Sequence, residues 1–169
     1  MKKHSLWLVP VIVSPTYRFQ TPSKWTGSLA YVFGKSGLIS LDYSIKDYGN
    51  TTYTLNSNYF SNQSVNAQIG NQLHAAGEFH LGGEYRIKEW SLRGGYRYEQ
   101  SPYKDKKIMG DLAGFSTGFG YNFGMMRLDV SYAHSQRKSQ EAFFSQGFTA
   151  APKIKTDNND FAITLVFEL

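Results

Sequence analysis

Residues 77–99 read Gly77-Glu78-Phe79-His80-Leu81-Gly82-Gly83-Glu84-Tyr85-Arg86-Ile87-Lys88-Glu89-Trp90-Ser91-Leu92-Arg93-Gly94-Gly95-Tyr96-Arg97-Tyr98-Glu99. Before Lys88 the apolar side chains fall on odd positions (Phe79, Leu81, Tyr85, Ile87) and the polar ones on even positions (Glu78, His80, Glu84, Arg86). After Glu89 the parity flips: Trp90, Leu92, Tyr96 and Tyr98 are apolar, while Ser91, Arg93, Arg97 and Glu99 are polar. A side-chain period of two is the mark of a strand with unlike faces. A flip across two residues marks a tight hairpin.

The same alternation recurs outward from this pair. It predicts seven strands at 25–33, 38–47, 77–87, 90–99, 113–123, 126–134 and 161–169, in a wholly β, antiparallel up-and-down arrangement. Very short links alternate with long ones. The short ones are Gly34-Lys35-Ser36-Gly37, Lys88-Glu89 and Gly124-Met125; the long ones are 48–72, 100–111 and 135–159. All short turns then lie at one end and all long loops at the other, as in outer-membrane barrels with short periplasmic turns. Strands of about 9–11 residues suit a tilted crossing of the bilayer.

Composition limits the alternatives. In 169 residues there is no cysteine, which excludes a disulfide-stapled module. Aromatics are 16%, too many for a disordered chain. The longest apolar run, Leu6 to Val13, contains Pro10 and falls far short of the roughly 20 residues of a spanning helix. Mean hydropathy is −0.42 and the formal net charge +5, with Lys and Arg scattered apart from Lys2-Lys3 and Lys104-Asp105-Lys106-Lys107, so no nucleic-acid partner is expected.

Periodicity does not say which face is outside; a soluble lipocalin-like barrel or sandwich has the same alternation. Three features favour an apolar exterior. Aromatics sit near strand ends on the apolar face (Trp25, Phe33, Trp90, Tyr98, Phe123, Phe161), where interfacial girdles lie. The polar face carries both charge signs in near balance, as a closed lumen requires. The chain ends on Phe161, Ile163, Leu165, Phe167 and Leu169, similar to the C-terminal signal read by the barrel-assembly machinery of bacterial outer membranes, with Leu where Phe is usual. The expected fold is a transmembrane β-barrel of about eight strands over residues 17–169. Residues 1–16 are left as a degenerate export signal, an internal piece of a longer chain, or part of a first strand at 6–20 weakened by Pro10 and Pro15.

The stretches Tyr17-Arg18-Phe19-Gln20-Thr21-Pro22-Ser23-Lys24-Trp25 and Gly27-Ser28-Leu29-Ala30-Tyr31-Val32-Phe33-Gly34-Lys35 resemble the FadL/TodX family of outer-membrane hydrophobic-compound transporters in their Bacteroidetes form. Four later stretches continue the likeness: Gly37-Leu38-Ile39-Ser40-Leu41-Asp42-Tyr43 with Asp47-Tyr48, Gly82-Gly83-Glu84-Tyr85-Arg86, Arg93-Gly94-Gly95-Tyr96 with Ser101-Pro102-Tyr103-Lys104, and Gly118-Phe119-Gly120-Tyr121. The resemblance covers residues 17–169 in order. It implies the last seven to eight strands of a 14-stranded barrel that moves long-chain fatty acids or aromatic hydrocarbons inward across the outer membrane. The N-terminal plug of such barrels has no counterpart in this sequence. A filled eight-stranded barrel with a structural or adhesive role is the alternative, because eight strands enclose a lumen that side chains fill.

Candidate ligand contacts follow. Arg93 and Arg97, with Arg86 on the neighbouring strand, suit a carboxylate, which guanidinium groups bind bidentately. The same charges, with Asp42, Lys46, Glu78, Glu84, Glu99, Arg127 and Asp129, suit a lumen ladder of ion pairs. Residues 64–76 predict an amphipathic helix with Val65, Ile69, Leu73 and Ala76 on one side, lining an entry groove or capping the barrel mouth. Phe143, Phe144 and Phe148 in the last long loop suit capture of apolar molecules or loop packing. No catalytic activity is expected: His134 with Ser131 and Ser135 is the nearest approach to a catalytic group, and no Gly-x-Ser-x-Gly elbow occurs. No cofactor or metal is expected, and Asp157-Asn158-Asn159-Asp160 reads as a turn into the last strand.

Overall fold

The computed structural model describes residues 16–55, 62–140 and 152–167. Seven strands form one antiparallel meander in the order β2-β3-β5-β6-β7-β8-β9. They are β2 (Lys24–Phe33), β3 (Gly37–Asp47), β5 (Ala75–Ile87), β6 (Trp90–Glu99), β7 (Met109–Asn122), β8 (Met126–Gln140) and β9 (Lys153–Phe167). A separate two-stranded sheet pairs β1 (Tyr17–Gln20) with β4 (Thr52–Leu55). Helix α1 (Asn62–Gln72) lies between β4 and β5, and a 3₁₀ turn at Tyr48–Asn50 follows β3.

The short hairpins fall where the parity flips placed them. Ile87 pairs with Trp90 across Lys88-Glu89, and Phe33 with Gly37 across Gly34–Ser36. The turn between β7 and β8 has Gly124 at φ 96°, a left-handed conformation that glycine adopts without steric cost. Register carries each face across the sheet: Leu81, Tyr96 and Phe115 are successive partners on the apolar face.

Several boundaries differ from the sequence reading. The loops expected at 100–111 and 135–159 are shorter, because β7 begins at Met109, β8 continues to Gln140 and β9 starts at Lys153. Asp157 to Asp160 are therefore inside β9, not in a turn: Gln136 pairs with Asp157 and His134 with Asn159. The apolar–polar alternation fades here because both faces carry polar side chains, while ladder hydrogen bonding continues. The helix expected over 64–76 ends at Gln72; Leu73 forms an isolated bridge with Tyr103, and Ala76 is a buried residue of β5. The strand expected over 6–20 is described only from residue 16, and its β1 part pairs with β4 rather than joining the large sheet.

Among the described residues the large sheet does not close. Strands β2 and β9 are its edges. No described residue covers its apolar face: Trp25 is 76% exposed, Leu29 71%, Phe161 68% and Phe119 43%. Ala76 and Leu112 are the buried hydrophobic residues among those described.

Helix α1 is tied to β4 by two asparagines one turn apart. Asn66 accepts from the Tyr53 N–H at 2.8 Å and donates to the Tyr53 carbonyl at 3.0 Å. Asn62 does the same to Leu55 at 2.7 and 3.0 Å. Each side-chain amide thus stands in for a strand neighbour on the free edge of β4. Replacing both by Ala is expected to cost about 2 kcal/mol at this appendage, seen as faster amide exchange at Tyr53 and Leu55 with the large sheet unchanged.

Candidate functional site

The polar face of the large sheet is organised in rows set by the pairing register. The lowest charged rows form a continuous chain of ion pairs across four strands. Glu84 on β5 holds Arg86 of its own strand through one oxygen and Arg93 of β6 through the other, the latter at 2.7 Å. Arg93 also bonds Asp129 on β8, and Asp129 takes Arg127 at 2.8 Å. The Glu84 and Asp129 side chains are only 13% and 14% exposed, so the belt's two carboxylates are largely shielded from water, while Arg86 and Arg127 at its ends reach into solvent.

Arg93 reaches β8 over β7 because β7 has no side chain in the way. Gly118 is the direct partner of Arg93 and Gly120 that of Asp129. A Cβ on Gly118 would stand 3.4 Å from the Arg93 Cβ, and one on Gly120 would collide with the Asp129 carboxylate and the Ser91 hydroxyl. These glycines are openings for a salt bridge.

Above the belt lies a row of small residues: Ala30, Ser40, Gly82, Gly95, Ser116 and Ala133 are successive partners from β2 to β8. The next row is Asp42, His80 and Arg97 on β3, β5 and β6. From β3 onward these rows, with Asp160 on β9, line one open trough of about 530 Å³. Its floor is small and polar, and its two long sides are charged.

The expected ladder is partly assembled. Glu84, Arg86, Arg93, Arg127 and Asp129 join it as one chain. Glu78 instead takes Lys24 of β2 at 2.8 Å. Glu99 meets Arg97 at 4.0 Å and Arg137 at 3.1 Å. Asp42 and Lys46 join no ion pair among the described residues; the Lys46 ammonium lies 4.8 Å from the centre of the Tyr48 ring. Arg137 was missed because 135–140 was read as loop, although it continues the odd-numbered polar face of β8 from Arg127 and Asp129.

The three arginines nominated for a carboxylate are thereby separated. Arg86 and Arg93 already have carboxylate partners at hydrogen-bond distance. Arg97, nearly half exposed and only loosely held by Glu99, retains free donor capacity toward the trough. Ile69 is on α1 and Leu73 is just beyond it, paired with Tyr103, so neither joins the trough lining. Phe143, Phe144 and Phe148 lie outside the described residues. His134 Nδ1 is 3.0 Å from the Asn159 side-chain oxygen, on the apolar-face parity of β8.

A second polar cluster anchors the loop between β6 and β7. Ser101 is fully buried; its N–H donates to Asp111 at 2.9 Å, its hydroxyl to the Met109 carbonyl, and its carbonyl lies 3.0 Å from His74 Nε2. Asp111 also accepts from Tyr98 at 2.7 Å and Lys106 at 2.8 Å. Partial burial pushes the Asp111 carboxyl up, but the bonds from Lys106, Ser101 and Tyr98 outweigh it and hold it at about 2. A folded-state value below the unfolded one stabilises above the unfolded value and is lost as pH falls through the folded value. The loop is therefore expected to lose about 2 kcal/mol of anchoring between pH 4 and pH 2. Asp111→Asn is expected to remove that dependence, read by proteolysis of the loop across this range.

No family model, curated protein or solved structure matches this chain.

Proposed function

We propose that the chain forms a wall of a bacterial outer-membrane β-barrel of the hydrophobic-compound-transporter kind, and binds or passes amphipathic molecules along its polar trough. One observation carries the reading: the sheet has a broad apolar face with nothing packed on it among the described residues, and a charged face with interlocked side chains. In water that apolar face would need a second layer. In a bilayer, lipid is its solvent, and backbone groups must then be paired all round a closed sheet.

Strand parity limits how closure is reached. Seven antiparallel strands leave β2 and β9 running in the same direction. Antiparallel closure therefore needs an odd number of added strands. One makes an eight-stranded barrel; seven make a fourteen-stranded one. The apolar positions from Phe115 in β7 to Phe123, just past the strand's end, span about nine residues, the length of a tilted crossing.

For ligand binding the geometry favours Arg97, facing the small-residue floor with His80 beside it. A carboxylate head there meets an arginine not already saturated. The ion-pair belt supports the second reading, a filled structural barrel, since it blocks the lower trough with paired side chains.

The test is purification in detergent followed by reconstitution in phosphatidylcholine vesicles. The expected results are gel mobility that shifts only after heating, and oleate binding weakened about tenfold by Arg97→Gln. A monomer stable without detergent would overturn the membrane assignment. Heat-shifted mobility with no oleate binding would favour the filled barrel.

A further inference from the structure

Lys104-Asp105-Lys106-Lys107 is a short lysine run in the sequence, and the fold enlarges it. Lys104, Lys106 and Lys107 of the β6–β7 loop, Lys138 of β8, and Lys153 and Lys155 of β9 line one hollow of about 730 Å³, with Asp105 as the only acid in its lining. The loop is drawn to the end of β8 by a bond from the Gln140 N–H to the Lys107 carbonyl at 2.6 Å.

Among the described residues these charges are only partly cancelled. Lys106 pairs with Asp111 at 2.8 Å, and Lys155 with Asp157 at 3.1 Å. Lys104 donates to the Gly70 carbonyl at 2.7 Å. Lys107, Lys138 and Lys153 have no carboxylate partner among the described residues. Moreover, Lys138 and Lys155 are direct cross-strand partners. Like charges placed opposite one another destabilise a sheet. An anion shared between them reverses the sign of that interaction.

The position identifies the kind of anion. Lys138, Lys153 and Lys155 share strand parity with Tyr132 and Phe161, so they stand on the outward, lipid-side face. The first polar row above Phe161 is His134 and Asn159, and the Lys138–Lys155 row lies four residues further. That is about 13 Å of strand, or about 9 Å of height at a 45° tilt. Lipid headgroups begin at that level, beyond the hydrocarbon.

We propose that this lysine hollow binds the phosphate groups of an anionic, phosphorylated glycolipid in the outer leaflet. The proposal rests on the membrane reading above, and its test separates the two. The full chain is first inserted into phosphatidylcholine vesicles and insertion is read by protease protection, which tests the membrane reading alone. Binding of diphosphorylated lipid A in mixed micelles is then compared with binding of its dephosphorylated form.

The phosphorylated form is expected to bind more tightly. A Lys138→Gln/Lys153→Gln/Lys155→Gln variant is expected to bind it roughly a hundredfold more weakly, at about fivefold per lysine near an anionic lipid surface. Insertion into phosphatidylcholine is expected to be unchanged in that variant. Equal binding of the dephosphorylated lipid, or undiminished binding by the variant, would overturn the proposal. Inorganic pyrophosphate or a short DNA duplex competing at equal concentration would also overturn it, by assigning the site to free phosphate or to nucleic acid. Failure to insert would remove the membrane reading and this inference with it.

Discussion

Phe119→Arg is expected to weaken folding into phosphatidylcholine vesicles by about 2–4 kcal/mol, the cost of an arginine on the lipid face of a barrel near the bilayer midplane. Phe119 sits midway along the apolar rows of β7, with Leu92 and Val130 as its direct partners. It is 43% exposed on a face with no covering layer among the described residues. In a soluble sheet the same substitution would place a charge in water at little cost. The measurement is urea titration of tryptophan fluorescence in vesicles. Ser131→Arg on the polar face is the control and is expected to change stability by less than about 1 kcal/mol. Equal effects at both positions would mean that the apolar face does not meet lipid.

Arg93→Ala is expected to cost about 2 kcal/mol in the same assay. Among the described residues its guanidinium is the only link joining the Glu84–Arg86 pair to the Asp129–Arg127 pair. Removing one partner of a buried charge pair costs 3–5 kcal/mol. Here Arg93 is about one-third exposed, so water reduces the figure. Lys at this position carries the charge but not the planar fork that serves two carboxylates, so Arg93→Lys is expected to recover about half of the loss. Gly120→Val attacks the same belt from β7 by driving a side chain into Asp129, and is expected to be as damaging as Arg93→Ala. A belt that merely decorates the surface would leave all three variants near wild type.

The two variants address different parts of the molecule, and each was legible to a different degree. Alternation over 113–123 puts Phe119 among the apolar odd positions, and the register sets it opposite Leu92 on the apolar face. Alternation works wherever the two faces meet different surroundings, because a one-residue slip would put every side chain on the wrong face. It fails where both faces are wet. The ends of β8 and β9 hold Lys138, Ser139, Lys153 and Lys155, whose polarity resembles a loop, although cross-strand bonds run to Gln140. The helix boundary failed for a related reason: Leu73 and Ala76 match a helical spacing, but Ala76 pairs with Lys46 in the sheet.

The candidate site shows the same division. Sequence supplied the charged residues and their common face, because parity within a strand is local. It did not supply their partners, which depend on register between strands far apart in the chain. Glu84 and Asp129 are 45 residues apart and are joined by Arg93 over two glycines whose role is invisible without the pairing. The lysine hollow is the extreme case, gathered from three segments that read as unrelated.

By itself the sequence determined the alternating middle portions of the seven long strands, the short hairpins and the two unlike faces, since these arise from side-chain period and turn chemistry within a few residues; the wet ends of β7, β8 and β9 and the β1–β4 pair came from the structure. Only the tertiary structure decided which arginines are already satisfied, which one is only loosely held, and that scattered lysines share one hollow. Those outcomes depend on distances between strands, and a strand's own residues carry no record of what lies across from them.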